Sequence, residues 1–293
     1  MTIIAILLAF ALCHFIRELG RIRKNRWLTT WVGFANDAFG KLPGWSDVLG
    51  FLVIIAVPLL ALLAINSVLN AALGTTGSFL LALVVLIYSF GPRDLDTDVA
   101  EVLEAGSEQE RQKALKELVG GPLPEDDLAG RAASVEGVFL QALRRWFGVI
   151  FWFAVLGIVG ALLYRMVDWL DSEEPKISSE QRGRFVRLQQ IMDWPAAQLM
   201  TLSLAIATDF DSVFKAWKRY HDEQGHGLFE GDNGFLLASA QVVVLTGHAT
   251  RDGYADHLDG PMVCLQQAMD LVWRMLGVWL TVLALLLLVG VLA

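Results

Sequence analysis

The residues of this chain with the clearest chemical potential are charged side chains that follow long apolar runs. One such run is followed by an arginine and three carboxylates, in the order Arg93-Asp94-Leu95-Asp96-Thr97-Asp98. The alternating aspartates suggest a calcium loop, but an EF-hand needs glycine at its sixth position and glutamate at its twelfth, where this chain has Val99 and Ala105. Two interpretations stay open: acids that stabilise the first turn of a helix, or a polar ligand site at a membrane surface that includes Arg93 and Asp94.

A second charged group follows the apolar run Phe147–Leu163, at spacings of three and four on one helix face. Its members are Tyr164, Arg165, Asp168 and Asp171. Arg165 and Asp168 can form an ion pair within one helical turn, and Arg165 can also anchor the helix at the membrane interface. Ionisable groups beside a membrane helix are otherwise candidates for a functional site by default. Anchoring and ligand binding are therefore both open interpretations.

The remaining motifs give no catalytic centre. The sequence has no GxxxxGK[ST], GxSxG or HExxH motif, so it carries no P-loop and none of the common hydrolase or metalloprotease signatures. Its two cysteines, Cys13 and Cys264, form no CxxC pair. His221 and His226 make a weak metal-like cluster whose spacing is unlike that of known zinc sites. We predict no catalytic residue, no metal site and no cofactor.

The composition indicates a membrane protein. Of the 293 residues, 55% are hydrophobic and only 18% are charged, whereas ordinary soluble domains are about 25% charged. Several bilayer-length helices, rather than one large core, account for this apolar excess. The net charge of −8 argues against a nucleic-acid partner, which would require a basic surface. It also gives no support to a polybasic lipid-binding patch.

The hydropathy pattern predicts an all-α, multi-pass integral membrane protein with about four to six membrane helices, since a crossing helix needs roughly 20 apolar residues. The candidate runs are Thr2–Ile16, which is expected to be a retained first span, Gly50–Leu73, Ser78–Phe90, Phe147–Leu163 and Leu276–Ala293. Only Gly74-Thr75-Thr76-Gly77 separates the second run from the third, so these two runs are predicted to form a tight helical hairpin. No internal repeat is evident.

On this basis the chain divides into segments: N-terminal membrane helices (1–90) with a 50–90 hairpin, a cytoplasmic amphipathic helical loop (91–146), a central membrane helix (147–170), a helical region (171–270) with a candidate re-entrant helix at 192–208, and a C-terminal membrane helix (271–293). Lys and Arg residues place the Arg17–Val48 and Gly91–Trp146 loops in the cytoplasm. The side of the membrane that holds 171–270 depends on whether 192–208 crosses, and both alternatives stay open.

Helix boundary signals divide the cytoplasmic loop further. Asp94 is predicted as an N-cap, and Ser107 with Glu110 as a capping box. Gly120 is predicted to end the second helix of the loop.

Several pieces of the chain, taken in order, form a recognisable pattern. They are Gly91-Pro92-Arg93-Asp94-Leu95, Val135-Glu136, the run FWFAVLGIVGALLYRMVDWLD, Met192-Asp193-Trp194-Pro195-Ala196-Ala197-Gln198-Leu199 and Gly234-Phe235-Leu236. This pattern resembles the AmpE family, which is associated with β-lactamase induction beside the muropeptide amidase AmpD. The resemblance implies a regulatory or sensory component of the bacterial inner membrane, and it brings no established chemistry with it.

AmpE is in turn distantly similar to the CobD/CbiB family, adenosylcobinamide-phosphate synthases that join an amino-alcohol to a corrinoid carboxylate. That family's pattern is similar to Gly91–Asp94, Val135-Glu136 and Gly160–Arg165 here. The chain departs from it at Gly137–Leu140, where the family has an Ala-Glu-Asn run, and at Asp168, where the family has asparagine; the family's early His-Pro motif is also absent. The departures predict a scaffold kept without its chemistry. A membrane-bound corrinoid amide synthase is the open alternative.

We therefore predict a ligand site without catalytic residues. Its candidate residues are Arg93, Asp94, Glu136, Arg165, Asp168 and Gln198. The expected partners are the lipid bilayer, a muropeptide-like or other small anionic ligand, and another membrane protein. Arg93 and Arg165 follow opposite ends of consecutive predicted spans, so two separate sites are an alternative to one pocket. A purely structural role as a membrane partner is a third hypothesis.

Overall fold

The computed structural model of the protein describes residues 2–15, 26–91, 93–121, 124, 127–172, 177–224, 232–246 and 261–289. All regular structure in these ranges is helical, which confirms the predicted all-α fold. In chain order the helices are α1 (Thr2–Phe15), α2 (Arg26–Phe39), α3 (Val48–Leu73), α4 (Thr75–Ser89), α5 (Leu95–Leu103), α6 (Glu108–Val119), α7 (Asp127–Ala142), a π-helical turn (Leu143–Phe147), α8 (Gly148–Ser172), α9 (Ser179–Ala207), α10 (Phe210–Gln224), α11 (Gly234–Gln241), a second π-helical turn (Val242–Thr246) and α12 (Pro261–Leu288).

Long apolar helices make this an all-α membrane protein. By length and composition alone, three stretches of the described residues are long and apolar enough to cross a membrane: Val48–Leu73, Val263–Leu286 and Leu128–Asp171, the last of which includes a break at Gly157 in α8. Shorter apolar helices occupy Ile3–Cys13, Thr75–Ser89 and Gly234–Leu245. The number of crossings stays a prediction.

The chain divides into two compact units. Unit 1 consists of Met1–Pro92, Gly148–Met192 and Leu287–Ala293. Unit 2 consists of Arg93–Phe147 and Asp193–Leu286.

In unit 1, α3 and α4 form a helical hairpin that turns at one glycine. Gly74 has φ 61° and ψ −149°, a conformation that is essentially restricted to glycine. A methyl group on Gly77 would lie 2.5 Å from the carbonyl oxygen of Leu69. The turn is therefore so tight that both glycines are required.

The segment predicted as one central membrane helix, 147–170, also reverses direction. Gly157 lies inside α8 with φ 63° and ψ −146°, close to the values of Gly74. This break divides α8 into an outgoing arm, 148–156, and a returning arm, 158–172. Sequence periodicity did not reveal the break because the apolar run continues through the turn without a polar residue.

Contacts between the two arms of α8 prove the reversal. In a straight helix Gly148 and Tyr164 would be about 24 Å apart along the axis. A methyl group on Gly148 would instead lie 2.2 Å from Cζ of Tyr164, and one on Gly160 would lie 2.1 Å from the carbonyl oxygen of Trp152. The arms are therefore antiparallel and in direct contact.

The two hairpins share a sequence motif, although the sequence alone showed no repeat. The first turn reads Ala71-Ala72-Leu73-Gly74-Thr75-Thr76-Gly77, and the second reads Ala154-Val155-Leu156-Gly157-Ile158-Val159-Gly160. In each, the first glycine adopts the positive φ and the second approaches the carbonyl eight residues before it. The common pattern, A-x-L-G-x-x-G, is therefore a repeated structural unit of this chain.

Unit 1 also includes a reciprocal cap at the start of α9. Oγ of Ser178 accepts from the backbone N–H of Gln181 at 3.1 Å, and Oε1 of Gln181 accepts from the N–H of Ser178 at 3.2 Å. The same two side chains reach the α2–α3 connection, where Ser178 donates to the carbonyl of Ser46 and Gln181 to that of Trp45. The cap therefore fixes the start of α9 against the loop that precedes α3.

Replacing Ser178 with alanine is expected to destabilise the protein by about 1 kcal/mol, the usual cost of removing an N-cap side chain. The measurement is the shift in unfolding midpoint of the detergent-purified protein. Ser179→Ala, at the exposed next position, serves as the matched control and should change stability by less than about 0.5 kcal/mol. Equal midpoints for the two variants would contradict the capping role.

Unit 2 contains α5, α6 and α7, and the boundaries of α6 are as predicted. Oγ of Ser107 accepts from the N–H of Glu110 at 3.2 Å, and Gly120 ends the helix with a left-handed φ of 76°. The candidate re-entrant segment 192–208 lies in the C-terminal half of α9, and it continues the helix that begins at Ser179.

Candidate functional site

A π-helical turn, Leu143–Phe147, joins α7 to α8 and carries two adjacent arginines. Such turns insert an extra residue into a helix and are frequent at functional sites. The turn Leu143–Phe147 places Arg144 and Arg145 in two different ion-pair networks of unit 2.

Arg145 anchors the first network. Its Nη1 lies 2.5 Å from Oδ2 of Asp98, and its Nε donates to Oε1 of Gln141 at 2.9 Å. The side chains of Arg145 and Asp98 are only 11% and 13% exposed. Arg93 approaches from the solvent side, with Nε 3.0 Å from Oδ1 of Asp98 and its guanidinium paired with Glu101. The network therefore has a buried pair at its base and a solvent-facing arginine at its rim.

Arg93 is the accessible cation of this network. Its side chain is 45% exposed, and its backbone carbonyl accepts from Nη1 of Arg145 at 3.3 Å. Burial by itself lowers the pKa of Arg93, but the carboxylates of Asp98 and Glu101 outweigh that effect and raise the pKa. Arg93 is thus a permanent positive charge that a dissolved anion can reach.

The other two aspartates of the Arg93–Asp98 run have different roles. Asp94 occupies the N-cap position of α5, as predicted, with no side-chain capping hydrogen bond. Oδ1 of Asp96 accepts from Nε1 of Trp273 at 3.0 Å, and the Trp273 ring lies 5.3 Å from that of Trp146. Asp94 therefore lies at the start of α5, whereas Asp96 and Asp98 contact residues distant in the sequence, and a ligand site at this run stays a prediction.

Arg144 forms the second network. Its Nε lies 3.7 Å from Oδ2 of Asp193, whose side chain is 1% exposed. Nδ2 of Asn233, just before α11, donates to the same oxygen at 3.2 Å. A carboxylate buried to this degree needs such partners, because an unpaired charge in the interior is very costly.

Glu136 contacts the last residue of α11, just before the second π-helical turn. Its Oε1 accepts from Nε2 of Gln241 at 2.5 Å, and Gln241 directly precedes the turn Val242–Thr246. Both π-helical turns among the described residues of unit 2 thus adjoin a polar contact between distant parts of the sequence.

Gln198 lies in an apolar groove between α9 and α10. Its Oε1 accepts from Nε1 of Trp217 at 3.2 Å, and the groove encloses about 220 Å³. Phe210 and Phe214 stack in parallel at 6.0 Å on its rim, both half-exposed. Gln198 therefore lies in a mainly apolar surrounding rather than in an ion-pair network.

In unit 1, Arg165 and Asp168 form the predicted ion pair within the returning arm of α8. Nη1 of Arg165 lies 2.6 Å from Oδ2 of Asp168, and both residues are buried. Their burial shows that Arg165 is packed inside the protein rather than extended to an interface.

The structure thus distributes the predicted ligand-binding residues over several contacts. Arg165 and Asp168 are together in unit 1. The other four belong to unit 2 and have different neighbours there: Arg93, Asp94, Glu136 and Gln198. A role in ligand binding stays a prediction for each of them.

Sequence reasoning missed the partners that complete these networks. They are Arg144, Arg145, Asp193 and Gln241, whereas Asp98 belongs to the acidic run Arg93–Asp98 identified in the sequence. The adjacent arginines were the available signal, because they interrupt an otherwise apolar approach to the predicted span. Their partners lie too far away in the sequence for any spacing rule to find.

The networks of unit 2 contain arginine side chains, which are suited to holding an anion. Arginine binds carboxylate and phosphate oxygens through two parallel N–H donors, and the half-exposed guanidinium of Arg93 pairs with the carboxylates of Asp98 and Glu101. Among the described residues, no group of three or more His, Cys, Asp or Glu side chains is placed to hold a metal ion.

Comparison with known proteins identifies the class of this helical membrane protein. The model of the CobD/CbiB protein family matches residues 4–256, and the chain belongs to that family. The cobalamin biosynthesis protein CobD of Stutzerimonas stutzeri (strain A1501) is a relative, 27% identical over 226 residues, which cover 69% of this chain and 72% of that protein. No solved structure matches the chain. The matches support the wider family, and the AmpE resemblance stays a prediction.

Proposed function

We propose that this protein is a membrane-bound amide synthase of corrinoid biosynthesis that holds a substrate carboxylate or phosphate at Arg93. The observation that carries the proposal is the Arg93–Asp98–Arg145 network, a half-exposed arginine held in place by a buried ion pair. The family match over residues 4–256 supports it, since all three residues lie within that match. The name of the S. stutzeri relative, a cobalamin biosynthesis protein, supports the same pathway.

The role proposed for these residues is substrate positioning. Arg145 and Asp98 fix the base of the network, so that Arg93 presents its guanidinium with little loss of conformational freedom on binding. An incoming anion would compete with Glu101, whose side chain is 50% exposed, rather than with the buried Asp98. The proposal places the protein in the bacterial inner membrane as a multi-pass protein, with the bilayer as its immediate partner.

A second candidate function, AmpE-like regulation, is favoured by one specific observation. Gly137–Leu140 replaces the polar run of the synthases, and in this chain it is a packing surface. A methyl group on Gly137 would lie 3.1 Å from Cγ2 of Val119, and Val138 and Phe139 are fully buried. The lack of polar side chains at these positions supports a role without the synthase chemistry, in which the protein would bind a muropeptide-like or other small anion, or a membrane-protein partner.

Complementation separates the two candidates. Expression of this chain in a strain that lacks its corrinoid amide synthase is expected to restore growth on medium where that synthase is required. Arg93→Ala is expected to reduce the rescue at least tenfold, because one charge-assisted contact is worth about 1.5–3 kcal/mol. The matched control is Arg111→Ala, which removes a surface arginine paired with Glu108 and should leave rescue intact.

Membrane levels of each variant are compared by immunoblot. No rescue by wild-type protein at normal membrane levels would overturn the synthase proposal. The regulatory candidate then predicts that deletion of the native gene changes β-lactamase induction. It also predicts that Arg93→Ala, but not Arg111→Ala, fails to restore normal induction.

A further inference from the structure

We propose that the α8 hairpin is re-entrant: it enters the bilayer, turns at Gly157 and leaves on the side from which it entered. Hydropathy alone predicts that this segment is a crossing helix, which would place the chain before it and after it on opposite sides. The inference concerns membrane topology and does not depend on the proposed function.

Each arm of α8 is shorter than the hydrocarbon core of a bilayer. The apolar part of the outgoing helix, residues 146–156 between Arg145 and Gly157, is about 17 Å long at 1.5 Å per residue. The whole returning arm, residues 158–172, is about 22 Å long, and only its first 11 Å, residues 158–164, precede the buried Arg165–Asp168 pair. The hydrocarbon core is about 30 Å thick, so neither arm reaches the far side.

The turns of the two hairpins differ in amino-acid composition. The first hairpin has Thr75 and Thr76 at its tip, and its α3 arm of 26 residues is long enough to cross. The second has Ile158 and Val159 at the same positions. Polar residues suit a tip that emerges at the opposite surface, whereas branched apolar residues suit a tip that stays within hydrocarbon.

Apolar side chains next to the Gly157 turn are exposed at the protein surface. Val155 and Leu156, the last residues before the turn, are 56% and 49% exposed although they are strongly apolar. Lipid chains are the surroundings in which such side chains carry no cost. The tip therefore presents an apolar surface of the kind that faces lipid.

Positively charged residues lie both before and after the α8 hairpin in the sequence. Arg144 and Arg145 precede the hairpin, and Arg182, Arg184 and Arg187 follow it. Loops rich in Lys and Arg are retained in the cytoplasm. A crossing helix would place one of these two positive groups outside, whereas a re-entrant hairpin leaves both inside.

Cysteine labelling tests the topology. In a Cys13→Ser/Cys264→Ser background, Glu104→Cys reports on the chain before the hairpin and Glu180→Cys on the chain after it; both positions are exposed. A membrane-impermeant maleimide is applied to spheroplasts and to inverted vesicles. We expect both cysteines to react in inverted vesicles at least tenfold more than in spheroplasts. Reaction of the two cysteines from opposite faces would overturn the proposal.

A cross-link keeps the proposal testable if a labelling variant fails to insert. Phe151→Cys with Leu163→Cys places cysteines on the two arms, which in a straight helix would be about 18 Å apart. The matched control is Leu52→Cys with Ala64→Cys, at the same spacing within α3. A short bifunctional maleimide is expected to link the first pair and not the second. Absence of the first link in membranes would overturn the hairpin and with it the re-entrant topology.

Discussion

Replacing Arg145 with methionine is expected to destabilise unit 2 by about 3–5 kcal/mol, the usual cost of removing one partner of a buried ion pair. The substitution leaves the carboxylate of Asp98, only 13% exposed, without its closest cation. It also removes the hydrogen bond from Nε to Gln141. The remaining ion pair of Asp98, with Arg93, compensates for only part of this loss because the Arg93 side chain is 45% exposed.

The measurement is a denaturant titration of the detergent-purified protein. Arg111→Met is the matched control, since its ion pair with Glu108 is less buried, with side chains 28% and 64% exposed, and pairs near the surface contribute about 0–1 kcal/mol. Adding Asp98→Asn to Arg145→Met removes the unpaired carboxylate charge and should recover part of the lost stability. Equal stability of Arg145→Met and Arg111→Met would show that the network does not hold unit 2 together.

Replacing Gly148 with alanine is expected to destabilise unit 1 by about 2 kcal/mol, although the same change normally stabilises a helix. The new methyl group would lie 2.2 Å from Cζ of Tyr164, whose side chain is fully buried. Overpacking of this kind costs about 1–3 kcal/mol. At Gly277, where no atom lies within 4 Å, Gly→Ala should instead stabilise α12 by up to about 1 kcal/mol.

A double-mutant cycle assigns the effect to the hairpin contact. In a Tyr164→Ala background the clash is gone, so Gly148→Ala should become neutral or stabilising. The coupling between the two sites should fall in the range of about 0.5–3 kcal/mol that is typical of residues in contact. A coupling near zero would mean that the two arms of α8 do not touch.

Hydropathy and helix boundary signals were sufficient for the long apolar helices and for α6, but they left α2 (Arg26–Phe39) within a predicted loop and did not reveal the second turn. The long apolar run of α3 and the four-residue Gly-Thr-Thr-Gly interval marked the first hairpin, because hydroxyl side chains and glycines interrupt the hydropathy. At Gly157 the same backbone turn is built between leucine and isoleucine, and hydropathy does not change. Only comparison of the two G-x-x-G intervals would have revealed it.

The candidate site shows the same division between local and distant contacts. The Arg165–Asp168 pair was predictable because its members are three residues apart on one helix. Arg145 and Asp98 are 47 residues apart, and Glu136 and Gln241 are 105 apart. Packing of α5, α7 and α11 within unit 2 decides those contacts, and a single sequence does not encode that packing in any visible spacing.

The contact of Gly148 with Tyr164 also bears on the order in which the chain folds. Its two residues are only 16 positions apart, and the turn contact of Gly160 with Trp152 spans eight. Contacts between residues so close in sequence need little loop closure and form early. We expect each hairpin to form as a unit while later parts of the chain are still being synthesised. The networks that join Arg145 to Asp98 and Arg144 to Asp193 are then assembled later, between helices that already exist.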